Sequence, residues 1–145
     1  MTRTISFTVT YLVLTLYSIE NNVVPAHPTT TSTTIATTSK PSMVKQCIKE
    51  ENPNPAHLYR LREGIFINDS KLKCFIKCAV IKLNEMTKTG ILLVDNIRKK
   101  ITLKVSEDQK IRVIQFCNYG NKTDLCNFAF RAFKCISENI GNIYN

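Results

Sequence analysis

Between residues 70 and 87 apolar side chains return every three or four positions, as Leu72, Phe75, Ile76, Ala79, Val80, Leu83 and Met86. Lys71, Lys73, Lys77 and Lys82 fill the opposite side. This period marks an amphipathic helix with one buried stripe, and Gly90 is read as the residue that ends it. Shorter helices are predicted around it. The first starts at Ser42-Met43-Val44 and runs through Cys47. In the second, Asn54 supplies the N-cap, Pro55 the first helical position and Gly64 the stop. A short fourth helix starts at Asp95 and carries Ile97 and Ile101, and Ser106-Glu107-Asp108-Gln109 reads as a capping box opening a fifth. In the fifth, Ile111, Ile114 and Cys117 face inward and Gly120 follows the end. A sixth runs from Asp124 to Asn139 with Phe128, Phe130 and Phe133. No alternating run with hairpin signals occurs, so the fold class is all-α, a six-helix domain.

Upstream of these helices the pattern changes twice. Arg3 precedes an apolar run from Ile5 to Ile19, interrupted by threonines and shorter than the about 20 apolar residues of a membrane span. It is read as a secretory signal peptide, with no stable membrane insertion. Cleavage after Ser18 or after Ala26 fits, and residues 1–26 are assigned to the signal. Residues 29–39 are almost all threonine and serine. Such a stretch has too little apolar surface to offset its ordering entropy, so residues 27–42 are expected to form a disordered spacer before a domain at 43–145. The protein is thus expected to be secreted and extracellular.

Export makes the cysteines intelligible. Cys47, Cys74, Cys78, Cys117, Cys126 and Cys135 are separated by 26, 3, 38, 8 and 8 residues. An even count in a small exported domain points to a disulfide framework. On a helix, Cys74 and Cys78 share a face with Cβ atoms about 5–6 Å apart, wider than the about 3.5–4.5 Å of a disulfide, so each bonds elsewhere. The nine steps from Cys126 to Cys135 turn a helix through about 900° and separate the two thiols by about 13 Å along its axis. They too need separate partners, which leaves several connectivities open. Zinc, the competing use of the cysteines, is not expected, since His27 and His57 are the only histidines and no CxxC pair occurs. No other metal site and no cofactor motif is present.

The cysteine ladder resembles that of the insect odorant-binding proteins, the pheromone-binding and general odorant-binding family of six-cysteine type. Leu61-Arg62-Glu63-Gly64 before the second cysteine and Lys134-Cys135-Ile136-Ser137-Glu138-Asn139 at the sixth are similar to the family as well. The resemblance spans residues 43 to 145. It implies the pairs Cys47 with Cys78, Cys74 with Cys126 and Cys117 with Cys135. It also implies a helical domain enclosing a hydrophobic cavity that reversibly binds odorants, pheromones or fatty-acid-like ligands. The expected ligand-binding residues are Phe66, Phe75, Val80, Leu83, Met86, Ile114, Phe130, Phe133 and Tyr144, with Ile140, Ile143 and Tyr144 folding back as a lid. Tyr144, Tyr59, Tyr119 or backbone groups would supply the polar contacts, because the pocket-facing side of the third helix has no hydroxyl. A chemosensory receptor is the further partner, and the protein is expected to be a monomer or weak homodimer.

Charge alters one part of this picture. A formal charge of +9 departs from the acidic balance of many family members. The alternative function is a cationic secreted host-defence or surface-interaction protein that uses its basic surface. Nucleic acid is not an expected partner, since the lysines are spread over several helices. Enzymatic function is not expected either. Every cysteine belongs to the ladder, His57 lies beside Pro53 and Pro55 without a partnered nucleophile, and no phosphate-cradling loop occurs. One histidine in the domain gives little basis for a histidine-driven pH release, which would fall instead to carboxylates such as Asp69 or Glu138. Asn68-Asp69-Ser70 and Asn121-Lys122-Thr123 are sequons in predicted loops, so Asn68 and Asn121 are candidate glycosylation sites.

Overall fold

Side-chain acceptors satisfy the first N–H groups of several helices. The structure, a computed structural model, describes residues 40–142 along the backbone and 43–140 in their side chains. The expected signal at 1–26, most of the Thr/Ser spacer and Tyr144 lie outside these residues. Helix α1 spans Lys40–Glu51 and so begins inside the segment assigned to the spacer. Helix α2, Pro55–Arg62, follows Asn54, whose Oδ1 accepts from the Ala56 amide at 2.9 Å. Helix α3, Ser70–Lys82, follows Asp69, whose Oδ1 accepts from the Leu72 amide at 2.8 Å. Helix α4 is Val94–Lys100. Helix α5, Glu107–Cys117, opens on the reciprocal Ser106/Gln109 capping box. Helix α6, Leu125–Asn142, follows Asp124, whose carboxylate accepts from the Asn127 amide at 3.0 Å.

The third helix is shorter than its apolar period predicts. It stops at Lys82, and Asn84 then adopts φ 57°, the left-handed conformation in which asparagine is the common substitute for glycine. The amides of Glu85 and Met86 turn back onto the Val80 carbonyl at 2.8 and 3.2 Å. Lys100 Nζ donates to the Leu83 carbonyl at 2.8 Å, so a distant residue closes the helix end. Leu83 and Met86 still reach the core, with Met86 bridged to Leu92 in an isolated antiparallel pair. Gly90 (φ 83°) serves the turn between Thr87 and Ile91 rather than the helix. In α5 the inward residues are Val113, Ile114 and Cys117, while Ile111 is only half-buried.

Helices α3 and α6 form the central pair, with α1 packed on α3, α5 on α6, and α4 on α5. The three disulfides follow this order. Cys47–Cys78 joins α1 to α3, Cys74–Cys126 joins α3 to α6, and Cys117–Cys135 joins α5 to α6. Cys126 and Cys135 leave opposite sides of α6, as their spacing requires, so that helix is clamped between two neighbours. Among the described residues no named strand occurs, and no helix is long and apolar enough to cross a membrane.

Candidate functional site

The apolar stripes of α1, α3, α5 and α6 converge on one buried cluster that includes Val44, Leu72, Phe128 and Ile140. Six expected ligand residues lie in it: Phe75, Val80, Leu83, Met86, Ile114 and Phe133. Val80 and Ile114 are fully buried, and Phe75 and Met86 nearly so. Phe66 and Phe130 lie at the margin of the cluster, half-buried, and meet edge to face with centroids 5.7 Å apart. The ninth, Tyr144, falls outside the described residues.

The expected polar contacts are corrected by the structure. Tyr59 and Tyr119 are 60% and 52% exposed, so neither faces this cluster. Ser137 does: it is 8% exposed, one helical turn beyond Phe133 and three residues before Ile140 on the same face of α6. The sequence contained this signal, because Phe130, Phe133, Ser137 and Ile140 are spaced at three and four residues. The apolar count passed over the one hydroxyl in that row. At the edge of the cluster, Glu85 is buried and pairs with Lys100 at 2.6 Å.

A cleft of about 520 Å³ opens on the surface where α3 and α6 begin. Its half-buried walls are Phe66 and Phe130, and Lys73 Nζ stands 5.4 Å from the Phe130 ring. Exposed Asn68 and Asn121 border it, and Asn127, Arg131 and Lys134 complete the lining on α6. Lys73 Nζ donates to Asn127 Oδ1 at 2.6 Å, tying α3 to α6 beside the Cys74–Cys126 bond. The Asp124 carboxyl titrates below its usual range, chiefly because the Asn127 amide donates to it, and the Leu72 amide acts likewise on Asp69. Arg131 donates to the Tyr119 and Asn121 carbonyls at 3.3 and 3.4 Å and lies over the Tyr119 ring.

Two further groupings carry no site chemistry. Cys47, Glu50 and Cys78 bring three ligand atoms within 4.8 Å of one another, but the two sulfurs are bonded together and offer no thiolate to a metal. His57 Nδ1 lies 3.7 Å from Asp69 Oδ1, next to the α3 cap and away from any nucleophile in the described contacts.

The six-cysteine ladder, its three bonds and the six helices can now be set against known proteins. The profile of the PBP/GOBP family matches residues 31–139. The chain belongs to the PBP/GOBP family. Its similarity to odorant-binding protein 22 of Aedes aegypti is 25% identity over 95 residues, covering 65% of this chain and 69% of the relative. Its fold is similar to the crystal structure of an odorant-binding protein of Locusta migratoria. That match has a TM-score of 0.57 at 20% identity and covers 70% of this chain and 79% of the locust protein. The PBP/GOBP match begins before α1, inside the Thr/Ser-rich stretch, so the family region is longer than the helical domain read from the residues.

Proposed function

We propose that this protein is a secreted, non-catalytic carrier that reversibly binds small hydrophobic molecules in the α1/α3/α5/α6 cluster. Residues 1–26 are removed on export, 27–42 lead into the domain, and 43–145 bind the ligand. One observation carries the proposal: in a PBP/GOBP chain, all eight described candidate residues gather in or against a single buried cluster. Phe75, Phe133 and Met86 offer large, adaptable apolar contact, suited to ligands without a rigid shape. Ser137 offers a buried hydroxyl on the face of α6 that carries Phe133 and Ile140, which favours long apolar ligands with one carbonyl or carboxyl end.

The test is displacement of a hydrophobic fluorophore from the oxidised, mature protein. The expected result is one saturable site, competed by a medium-chain fatty acid and indifferent to salt. Absence of a saturable apolar site overturns the carrier reading. Heparin or anionic-vesicle binding that fades as salt rises would then favour a role for the basic surface.

A further inference from the structure

We propose that the surface cleft at the start of α3 and α6 seats the first N-acetylglucosamine of a glycan carried on Asn121. The inference rests on the export included in the reading above, and it concerns a different face of the molecule from the ligand cluster. Its starting point is a convergence invisible in the chain order: two sequons far apart in sequence border one cleft. The Cys74–Cys126 bond explains why. It holds the first turns of α3 and α6 together with Cα atoms 4.5 Å apart, so the loops leading into those helices meet. Asn68 stands in one of these loops and Asn121 in the other.

The local geometry distinguishes the two asparagines. Asn121 Oδ1 accepts from the Thr123 amide at 2.9 Å, a turn that fixes the side-chain carbonyl. Asn121 is an exposed residue, and its Nδ2, the atom that would carry the sugar, donates to nothing among the described residues. In the other sequon the middle residue is Asp69, an anion already committed to the α3 cap, and Ser70 is in the first turn of the helix.

The cleft also suits a sugar. Its volume of about 520 Å³ lies within the about 300–1,000 Å³ of small-ligand pockets. Phe66 and Phe130 present ring surface to the C–H face of a pyranose. Asn127, Arg131 and Lys134 line it with N–H groups of the kind from which hydroxyl and acetamido oxygens accept.

Attachment takes place in the secretory lumen before the domain folds, when the two-residue turn from Asn121 to Thr123, a local contact, already orients the side chain. Asn121 Nδ2 forms a bond to the anomeric carbon of a lipid-diphosphate-linked oligosaccharide. The anomeric C–O bond breaks, the lipid diphosphate leaves with the electron pair, and one amide proton is released. Folding then brings the sugar against the two rings.

The experiment uses the full chain expressed in cells that secrete glycoproteins, with the protein recovered from the medium. Intact mass should fall by one glycan after peptide N-glycosidase treatment. That change should vanish in Asn121→Gln and persist in Asn68→Gln. In the glycosylated protein, the acetyl methyl proton of the proximal sugar should resonate upfield of its position in the free sugar. Phe66→Leu with Phe130→Leu keeps the bulk and removes both ring currents, so the shift should disappear while the glycan mass remains. Secreted protein unmodified at Asn121, or a modified one whose acetyl signal matches the free sugar, overturns the proposal and leaves the carrier reading intact. Retention in the cytosol overturns the proposal together with the secreted part of that reading, and fluorophore binding still tests the carrier.

Discussion

Lys100 Nζ lies 2.6 Å from Glu85 Oε1 and 2.8 Å from the Leu83 carbonyl, so one ammonium closes the C-terminus of α3 from the last turn of α4. The Glu85 side chain is 6% exposed and that of Lys100 22%, which places the pair out of bulk water. Removing one partner of such a pair leaves a charge in a poor dielectric. Lys100→Ala should therefore destabilise the domain by about 2–3 kcal/mol, read as a lower urea midpoint at unchanged slope. Adding Glu85→Gln should recover more than half of the loss, because a neutral amide is easier to desolvate. An equally unstable double variant would show that Lys100 acts through its stem packing alone.

Asn84 tests the end of α3 from the backbone side. Its φ of 57° is easy for glycine and strained for a β-branched residue. Asn84→Val should lower stability by about 1–2 kcal/mol, whereas Asn84→Gly should change it little. Thermal unfolding of the two variants gives the comparison. Equal melting temperatures would contradict the assigned conformation.

The acid limb of stability should belong to the carboxylates at the helix starts. Asp69 and Asp124 are both held below the ordinary aspartate range, chiefly by backbone amides that donate to the ionised form. A depressed folded pKa contributes stability that is fully present above the unfolded value and lost as pH falls through the folded one. Urea midpoints should thus be flat above about pH 5 and decline below about pH 4. Asp69→Asn with Asp124→Asn retains the cap oxygens without titration and should flatten that decline. An unchanged acid limb in the double variant would assign it to other carboxyls.

The disulfides should differ in weight according to the chain each one closes. Their sequence separations are 31, 52 and 18 for Cys47–Cys78, Cys74–Cys126 and Cys117–Cys135. In the loop-entropy picture, removing each bond singly by paired Cys→Ala changes costs about 4, 4 and 3 kcal/mol. Loss of Cys74–Cys126 should also loosen the α3/α6 seam. Amide exchange at Asn127 and Phe128 should then accelerate more than exchange in α5. Uniform acceleration through all helices would indicate that the bond stabilises the whole fold without a local role.

Ser137 carries the prediction specific to ligand choice. Ser137→Ala should weaken binding of a long-chain ligand with a carboxyl or carbonyl end about fivefold, the size of one neutral hydrogen bond. A hydrocarbon of equal length should bind as before. Equal loss for both ligands would mean that the variant changes packing instead of polar recognition.

Local chemistry carried much of this protein on its surface. The capping box at Ser106, the Asn54-Pro55 start and the period of α3 act within one or two helical turns, so they are legible in any stretch that contains them. The cysteine spacing ruled out bonds between neighbours on one helix, because helix geometry sets those distances regardless of what surrounds it. The three pairs themselves came from likeness to a family.

Features that depend on partners far along the chain were settled only on folding. Helix α3 stops at Lys82 because Asn84 turns left-handed and Lys100 binds the freed carbonyl, and neither event is visible in an apolar period that continues to Met86. Val113 displaced Ile111 as an inward residue because the position of α6 selects the buried face of α5. Phe66 meets Phe130, and Asn68 and Asn121 line one cleft, because a bond between Cys74 and Cys126 draws two helix starts together. Short-range hydrogen bonding and periodicity are properties of a segment, whereas the shape of a cleft belongs to the surfaces that packing brings face to face.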